Sequence, residues 1–261
     1  MGKLNNDGTA AVCPSGHRFD RSRYGYYNLL LSSSGGVHGD NAEMVEARRA
    51  FLHRGFYEPL AKAMTEAVLA FAGEGTVLLD AGCGEGYYTE LVSRELLRLP
   101  RTRVAAFDIS KDAARRAARL IPTADVAVAG SYHMPIADES IDVIMNTFSP
   151  LAASEMHRVL RTGGGFIMAI PGEEHLFGLK SAIYDTPYKN KVEDTALEGF
   201  TLVAERELRY ALDLDTGEDI RSLFMMTPYA YRTSAAGRER VLSLSELHTE
   251  AHFIILSYRK D

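Results

Sequence analysis

From residue 76 to residue 170, short apolar runs alternate with amphipathic stretches. The runs at 76–80 (TVLLD), 103–108 (RVAAFD), 125–130 (DVAVAG), 141–147 (IDVIMNT) and 164–170 (GGFIMAI) have the length and apolar, β-branched character of buried strands. Between them, residues 87–99, 110–121 and 153–160 place apolar side chains at helical intervals. Strands separated by helices predict a mostly parallel sheet covered on both faces, a doubly wound α/β domain. Upstream, Met44, Ala47, Phe51, Leu52, Leu60, Met64 and Val68 fall at helical spacing with a break around Gly55 and Pro59, so two helices precede the first strand. Downstream, a helix near 174–184 and strands near 200–212 and 252–259, with a helix between them, predict a closing antiparallel hairpin. Residues 1–31 are polar and turn-rich, and residues 32–41 (SSSGGVHGDN) have the composition of a flexible linker. The expected division is a small module over 1–35, linker and helices over 36–72, and the α/β domain over 73–261.

Composition narrows the class. With 261 residues, 46% of them hydrophobic and 25% charged, the chain has material for one full core and an appendage. It contains no apolar run of about 18 residues, and its first ten residues lack the apolar core of a secretion signal, so a cytoplasmic protein off the membrane is expected. Cys13 and Cys83 are too few for a disulfide framework, and reduced thiols are expected. A net charge of −6 and a pI near 5.8 argue against nonspecific binding to a polyanion. The charge is uneven, however: His17, Arg18, Arg21 and Arg23, then Arg48, Arg49 and Arg54, leave room for a basic face near the start.

The first apolar run ends in DAGCGEG, residues 80–86. Gly82 and Gly84 allow positive φ and close approach of a ligand to the backbone, and Gly86 lets the following helix pack tightly. A bare G-x-G-x-G does not separate a dinucleotide from an adenosyl sulfonium cofactor. The flanks do. Asp80 and Glu85 would repel a pyrophosphate but suit a cofactor carrying an ammonium and a sulfonium. Asp108, with Ile109 beside it, ends the next strand where a carboxylate accepts both ribose hydroxyls. S-adenosylmethionine satisfies all three carboxylates; a nicotinamide dehydrogenase would want fewer acids in the loop. After the third strand, Ser131 and Tyr132 can bind the adenine amine, and Met134 and Ile136 can wall its ring, a layout in which this stretch resembles the class I methyltransferases. The fourth strand runs into MNTFSP (145–150), and the resemblance of this stretch to class I methyltransferases implies that Asn146, Phe148, Ser149 and Pro150 face the transferring methyl, Asn146 as a hydrogen-bond partner and Phe148 as a stacking surface. By residue type alone, His133 and His175 are candidate bases.

This order of motifs resembles the class I, Rossmann-like methyltransferases. The segments CPSGHRFDRSRYGYYNLL (13–30), DNAEMVEARRAFLHRGFYEPL (40–60), DAGCGEGYYT (80–89), MNTFSP (145–150), PGEEHLFGLK (171–180) and MMTPYAYR (225–232) together resemble the bacterial 23S rRNA guanine-N1-methyltransferases, a group that includes macrolide-resistance enzymes. The resemblance implies that Tyr57, Gly84, Glu85 and His175 contact the cofactor, that an N-terminal zinc module helps recognise rRNA, and that two copies pair as a homodimer. One departure stands out: only Cys13 and His17 of the four expected zinc ligands are present. Two ligands do not close a structural site, and no stable zinc is expected. The missing ligands and the acidic charge leave two acceptors open, a guanine N1 of 23S rRNA and a small guanine-like or guanidine-bearing molecule.

Overall fold

The computed structural model describes residues 5–6, 9–12, 16–30, 39–192 and 195–261. The chain begins with a small antiparallel sheet of β1 (Asn5–Asn6), β2 (Ala10–Val12) and β3 (Arg18–Asp20). Next come β4 (Tyr26–Asn28), α1 (Ala42–His53), α2 (Glu58–Leu69), β5 (Val77–Ala81), α3 (Tyr87–Leu96), β6 (Arg103–Asp108), α4 (Lys111–Leu120), β7 (Asp125–Val128), β8 (Ile141–Thr147), α5 (Ala153–Val159) and β9 (Leu160–Pro171). The last part holds α6 (Phe177–Ile183), β10 (Phe200–Leu214), α7 (Gly217–Met225), α8 (Ala235–Leu242) and β11 (Leu247–Lys260). The local signals behind these boundaries are ordinary caps. The Asn41 side chain accepts the Met44 amide at the start of α1, Pro59 sits in the first turn of α2, and Ser110 accepts the Ala113 amide at the start of α4.

The main sheet has the order β10-β11-β9-β8-β5-β6-β7-β4, parallel from β4 through β9 and antiparallel over β9, β11 and β10. The doubly wound expectation and the terminal hairpin both hold, with β11 inserted between β9 and β10. Alternate residues of the central strands enter two separate cores: Leu78, Val143, Met145 and Ile167 pack on one side, Leu79, Ile144, Phe166 and Met168 on the other. All eight are buried, which is why these strands read as unbroken apolar runs. Cover is thinner over β10, whose middle is exposed and lined by Glu205, Arg206, Glu207 and Arg209; charge there blunts an open sheet edge. One feature departs from the sequence reading. Tyr26–Asn28, counted with the N-terminal module, forms an eighth strand parallel to β7, with Tyr26 and Tyr27 buried.

Candidate functional site

The chain winds outward from β5 to β6 and β7, then returns to β8 on the other side of β5. That reversal opens a crevice at the carboxyl ends of β5 and β8. Gly82, immediately after β5, has φ +89°, and a Cβ there would lie 1.9 Å from Ser149 Oγ, so the loops after β5 and β8 interlock at this point. Gly86, at φ +95°, lets α3 approach α4 so closely that a Cβ would meet the Ala117 Cα at 3.1 Å. Between them the Gly84 amide donates to Asp108 Oδ2 at 2.9 Å, while the Ser110 amide donates to Asp108 Oδ1 at 2.7 Å. Burial raises the Asp108 pKa and these two amides oppose the rise, so the carboxylate at the end of β6 is fixed against the glycine loop.

Above the loop lies a cavity of about 1500 Å³. Pockets for one small ligand run to roughly 1,000 Å³, so a second reactant has room beside a nucleoside cofactor. Gly82, Gly84, Glu85, Asp108, Ile109, Ser131, Tyr132, Tyr57 and His175 line it. Asp80 and Gly86 do not. The Asp80 carboxyl is buried beneath the loop, where Oδ2 accepts the Thr89 hydroxyl at 2.5 Å, so it ties the end of β5 to α3. Glu85 stays on the wall, 3% exposed, with His53 Nε2 at 3.6 Å from Oε2. Its Oε1 has no partner among the described residues, nor do the buried Tyr88 hydroxyl and Thr147 Oγ1, and all three residues line the cavity. Unpaired buried polar atoms are rare enough to demand a ligand or water.

The far wall is the substrate-side set. Asn146 is 1% exposed, and its Nδ2 donates to Ala81 O at 3.3 Å and Pro150 O at 3.4 Å. Both amide hydrogens are thus committed, which leaves Oδ1 as the functional face. Phe148 carries φ +57°, a left-handed conformation costly for a bulky side chain, and its ring is 45% exposed. Tyr229 and Tyr231, after α7, line the same space. Tyr57 and His175 lie together at the base, 3.4 Å from Tyr57 Oη to His175 Nε2, and the His252 amide donates to His175 Nδ1 at 3.3 Å. Burial holds the His175 pKa down at about 3, assisted by His252 and Lys180, so this ring is neutral and too weakly basic to hold a proton at neutral pH. His133 lines the cavity from an exposed position.

The arginines sort differently from the sequence reading. Arg54 pairs with Asp219 at 3.1 Å and Arg49 with Glu46 at 3.8 Å, so they do not form a free face with Arg48. Arg48 turns inward, pairs with Asp40, and is the sole arginine or lysine lining the cavity among the described residues. Sequence reasoning missed this role, as it missed Tyr88 and Thr147, because only the packing of α1, α3 and β8 around the cavity shows which way each side chain faces. Cys13 lies outside the described residues; His17 is described, and no cluster of three or more potential metal ligands occurs among the described residues. No helix among them is long and apolar enough to cross a membrane.

A methyltransferase-domain family matches residues 79–168, the span from β5 to β9 that builds the glycine loop and its carboxylates. Among solved structures, the [4+2]-cyclase SpnF aligns over 77% of this chain and 80% of its own at 18% identity, with a TM-score of 0.52, a likeness of fold alone. Fold, loop and domain match together make this chain an S-adenosylmethionine-dependent methyltransferase of class I. Its relatives place it more narrowly. A Micromonospora griseorubida protein whose name assigns it as a 23S rRNA (guanine-N1)-methyltransferase is 35% identical over 91% of this chain and 85% of its own length. The Streptomyces fradiae 23S rRNA (guanine(748)-N1)-methyltransferase is 33% identical over 78% of this chain and 74% of its own. The chain belongs to the 23S rRNA (guanine-N1)-methyltransferase family.

Proposed function

We propose that the protein transfers a methyl group to N1 of a guanine in 23S rRNA. The observation that carries this is the far wall of the cavity: an inward Asn146 with only its acceptor oxygen free, beside an exposed Phe148 held in a strained backbone, with Tyr229 and Tyr231 lining the same cavity. A flipped-out guanine stacks on an aromatic face and offers N–H donors on its Watson–Crick edge, which is the complement of that wall. The names of the relatives support the same acceptor.

The near wall fits the cofactor. Its orphaned Glu85 Oε1 complements an ammonium group, the Asp108 oxygens keep acceptor capacity for ribose hydroxyls, and Ile109, Ser131 and Tyr132 surround the place of the adenine. His175 is neutral and Arg48 is charged, so Arg48 rather than His175 supplies the positive charge for the cofactor carboxylate. When bound, S-adenosylmethionine supplies an electrophilic methyl on a sulfonium. The protein's own work is positioning: Phe148 and the tyrosines fix the plane of the base, Asn146 Oδ1 fixes its N1 edge, and the interlocked Gly82 and Ser149 hold the two walls at a set separation. His175 is buried and already bonded at both nitrogens, so the proton displaced from N1 passes to water and not to this ring.

The test is methyl transfer from labelled S-adenosylmethionine to unmodified 23S rRNA, with the product mapped by digestion and mass spectrometry. Label on a guanine N1 is expected. Label confined to a small-molecule fraction would refute the rRNA assignment while leaving the methyltransferase intact.

A further inference from the structure

We infer that Tyr24 and the arginines around it form a docking site for the phosphate backbone of the RNA substrate, built jointly by the segment before β4 and by α4. The Tyr24 ring, just before β4, has three guanidinium groups around it: Arg119 at 4.4 Å from the ring centroid, Arg23 at 4.7 Å and Arg115 at 5.7 Å. Arg23 also donates to the Tyr24 hydroxyl at 2.5 Å. That bond above all, with the charges of the three arginines, lowers the Tyr24 pKa against the opposing effect of burial. On α4, Lys111, Arg115 and Arg119 recur every fourth residue and so share one helix face. Arg115 is held by Asp112 at 2.8 Å, and Arg116 is turned away to Glu46; among the described residues Arg23 and Arg119 have no carboxylate partner.

Like charges do not converge on one ring for the sake of stability. In a chain of net charge −6 this cluster is where a polyanion is drawn rather than repelled. Guanidiniums gathered around an aromatic ring in this way offer planar forks that suit the bidentate geometry of a phosphate. The location also suits a substrate that must reach the methyl: β4 leads directly into Leu29 and Leu30, which line the cavity, and α4 is capped at its start by Ser110, next in sequence to Ile109, which lines it too. Nine residues of helix put Arg119 roughly 14 Å from that start. The site needs no metal in the N-terminal module, since α4 supplies half of it.

This inference rests on the rRNA reading above, and the experiment separates the two. Wild type, the double variant Arg23→Gln/Arg119→Gln and the conservative Arg119→Lys are titrated with an unmodified 23S rRNA transcript and with polyglutamate. Fluorescence anisotropy follows binding at salt from about 50 to about 200 mM. The double variant is expected to bind the RNA about tenfold or more weakly and to lower the salt slope by about two, one for each lost phosphate contact. Arg119→Lys, which keeps the charge, should retain the slope, and S-adenosylhomocysteine affinity and melting temperature should match wild type in every variant. RNA affinity and slope unchanged in the double variant would overturn the inference, as would loss of polyglutamate binding with RNA binding intact. Failure of the wild type itself to bind or methylate the transcript would remove the rRNA reading and this site together.

Discussion

Replacing Asp80 with asparagine should change the pH dependence of stability more than its value at any single pH. The carboxyl is 2% exposed, bonded at one oxygen to the Thr89 hydroxyl and unpartnered at the other among the described residues. Burial pushes its pKa up to about 7; the Thr89 bond opposes the rise and nearby Asp108 adds to it. Because the folded value lies above that of the unfolded chain, about 3.9, the native protein keeps a proton that the unfolded chain has released. Stability therefore falls as pH rises between about 4 and 7, and the loss is complete above that window. At about 1.36 kcal/mol per unit the whole effect is about 4 kcal/mol, of which about 2 kcal/mol is lost between about pH 5 and about pH 7.5. The amide of the Asp80→Asn variant never ionises and still accepts from Thr89. Urea unfolding of both proteins across that range, with one curve subtracted from the other, cancels every other titrating group. The variant should gain about 2 kcal/mol on the wild type from the acid end to the neutral end. Parallel curves would refute the argument and mean that Asp80 is solvated and ionised throughout.

Three further outcomes follow from the site. Gly82→Ala forces a Cβ into Ser149 Oγ at a backbone angle only glycine adopts freely, and should cost about 2 kcal/mol or more in unfolding free energy with loss of S-adenosylhomocysteine binding by calorimetry. Arg48→Gln should weaken S-adenosylhomocysteine about 10- to 100-fold, the worth of a charge-assisted bond, yet leave decarboxylated S-adenosylmethionine bound as in wild type; equal weakening of both ligands would dismiss the carboxylate role. His175, held at about 3 by burial, should show no change in its ring proton shifts between about pH 5 and about pH 8 by NMR; a midpoint in that range would return it to the candidate bases.

Much of the architecture was legible because the central strands are buried on both faces. The runs at 103–108 and 141–147 coincide with β6 and β8, and the helical stretches at 42–72 became α1 and α2, broken at Gly55 as expected. Elements whose burial depends on a partner were harder. β4 is three residues long and carries no period of its own; it is a strand because the edge of β7 accepts it. β9 starts at Leu160, earlier than its apolar run at 164, because Leu160 already pairs with Ile141 of β8; the register then shifts, and Gly165 is the next to pair, with Val143. The cofactor loop was readable for a similar reason to the strands: positive-φ glycines and a carboxylate at a strand end are local requirements of the chemistry.

What the sequence by itself determined, then, is the winding order of the sheet, the glycine loop and the acids beside it, all set by short-range periodicity and backbone freedom. Only the tertiary structure decided which charged groups face the cavity. Asp80 and Glu85 are five residues apart in one stretch, yet one is turned under the loop to Thr89 and the other lines the wall with an unpaired oxygen. Arg48 and Arg49 are adjacent, yet one enters the cavity and the other pairs with Glu46 on the surface. Tyr24 meets Arg119 across 95 residues of chain. Side-chain direction and partnership of this kind depend on packing between elements distant in sequence, and no local pattern of residues encodes it.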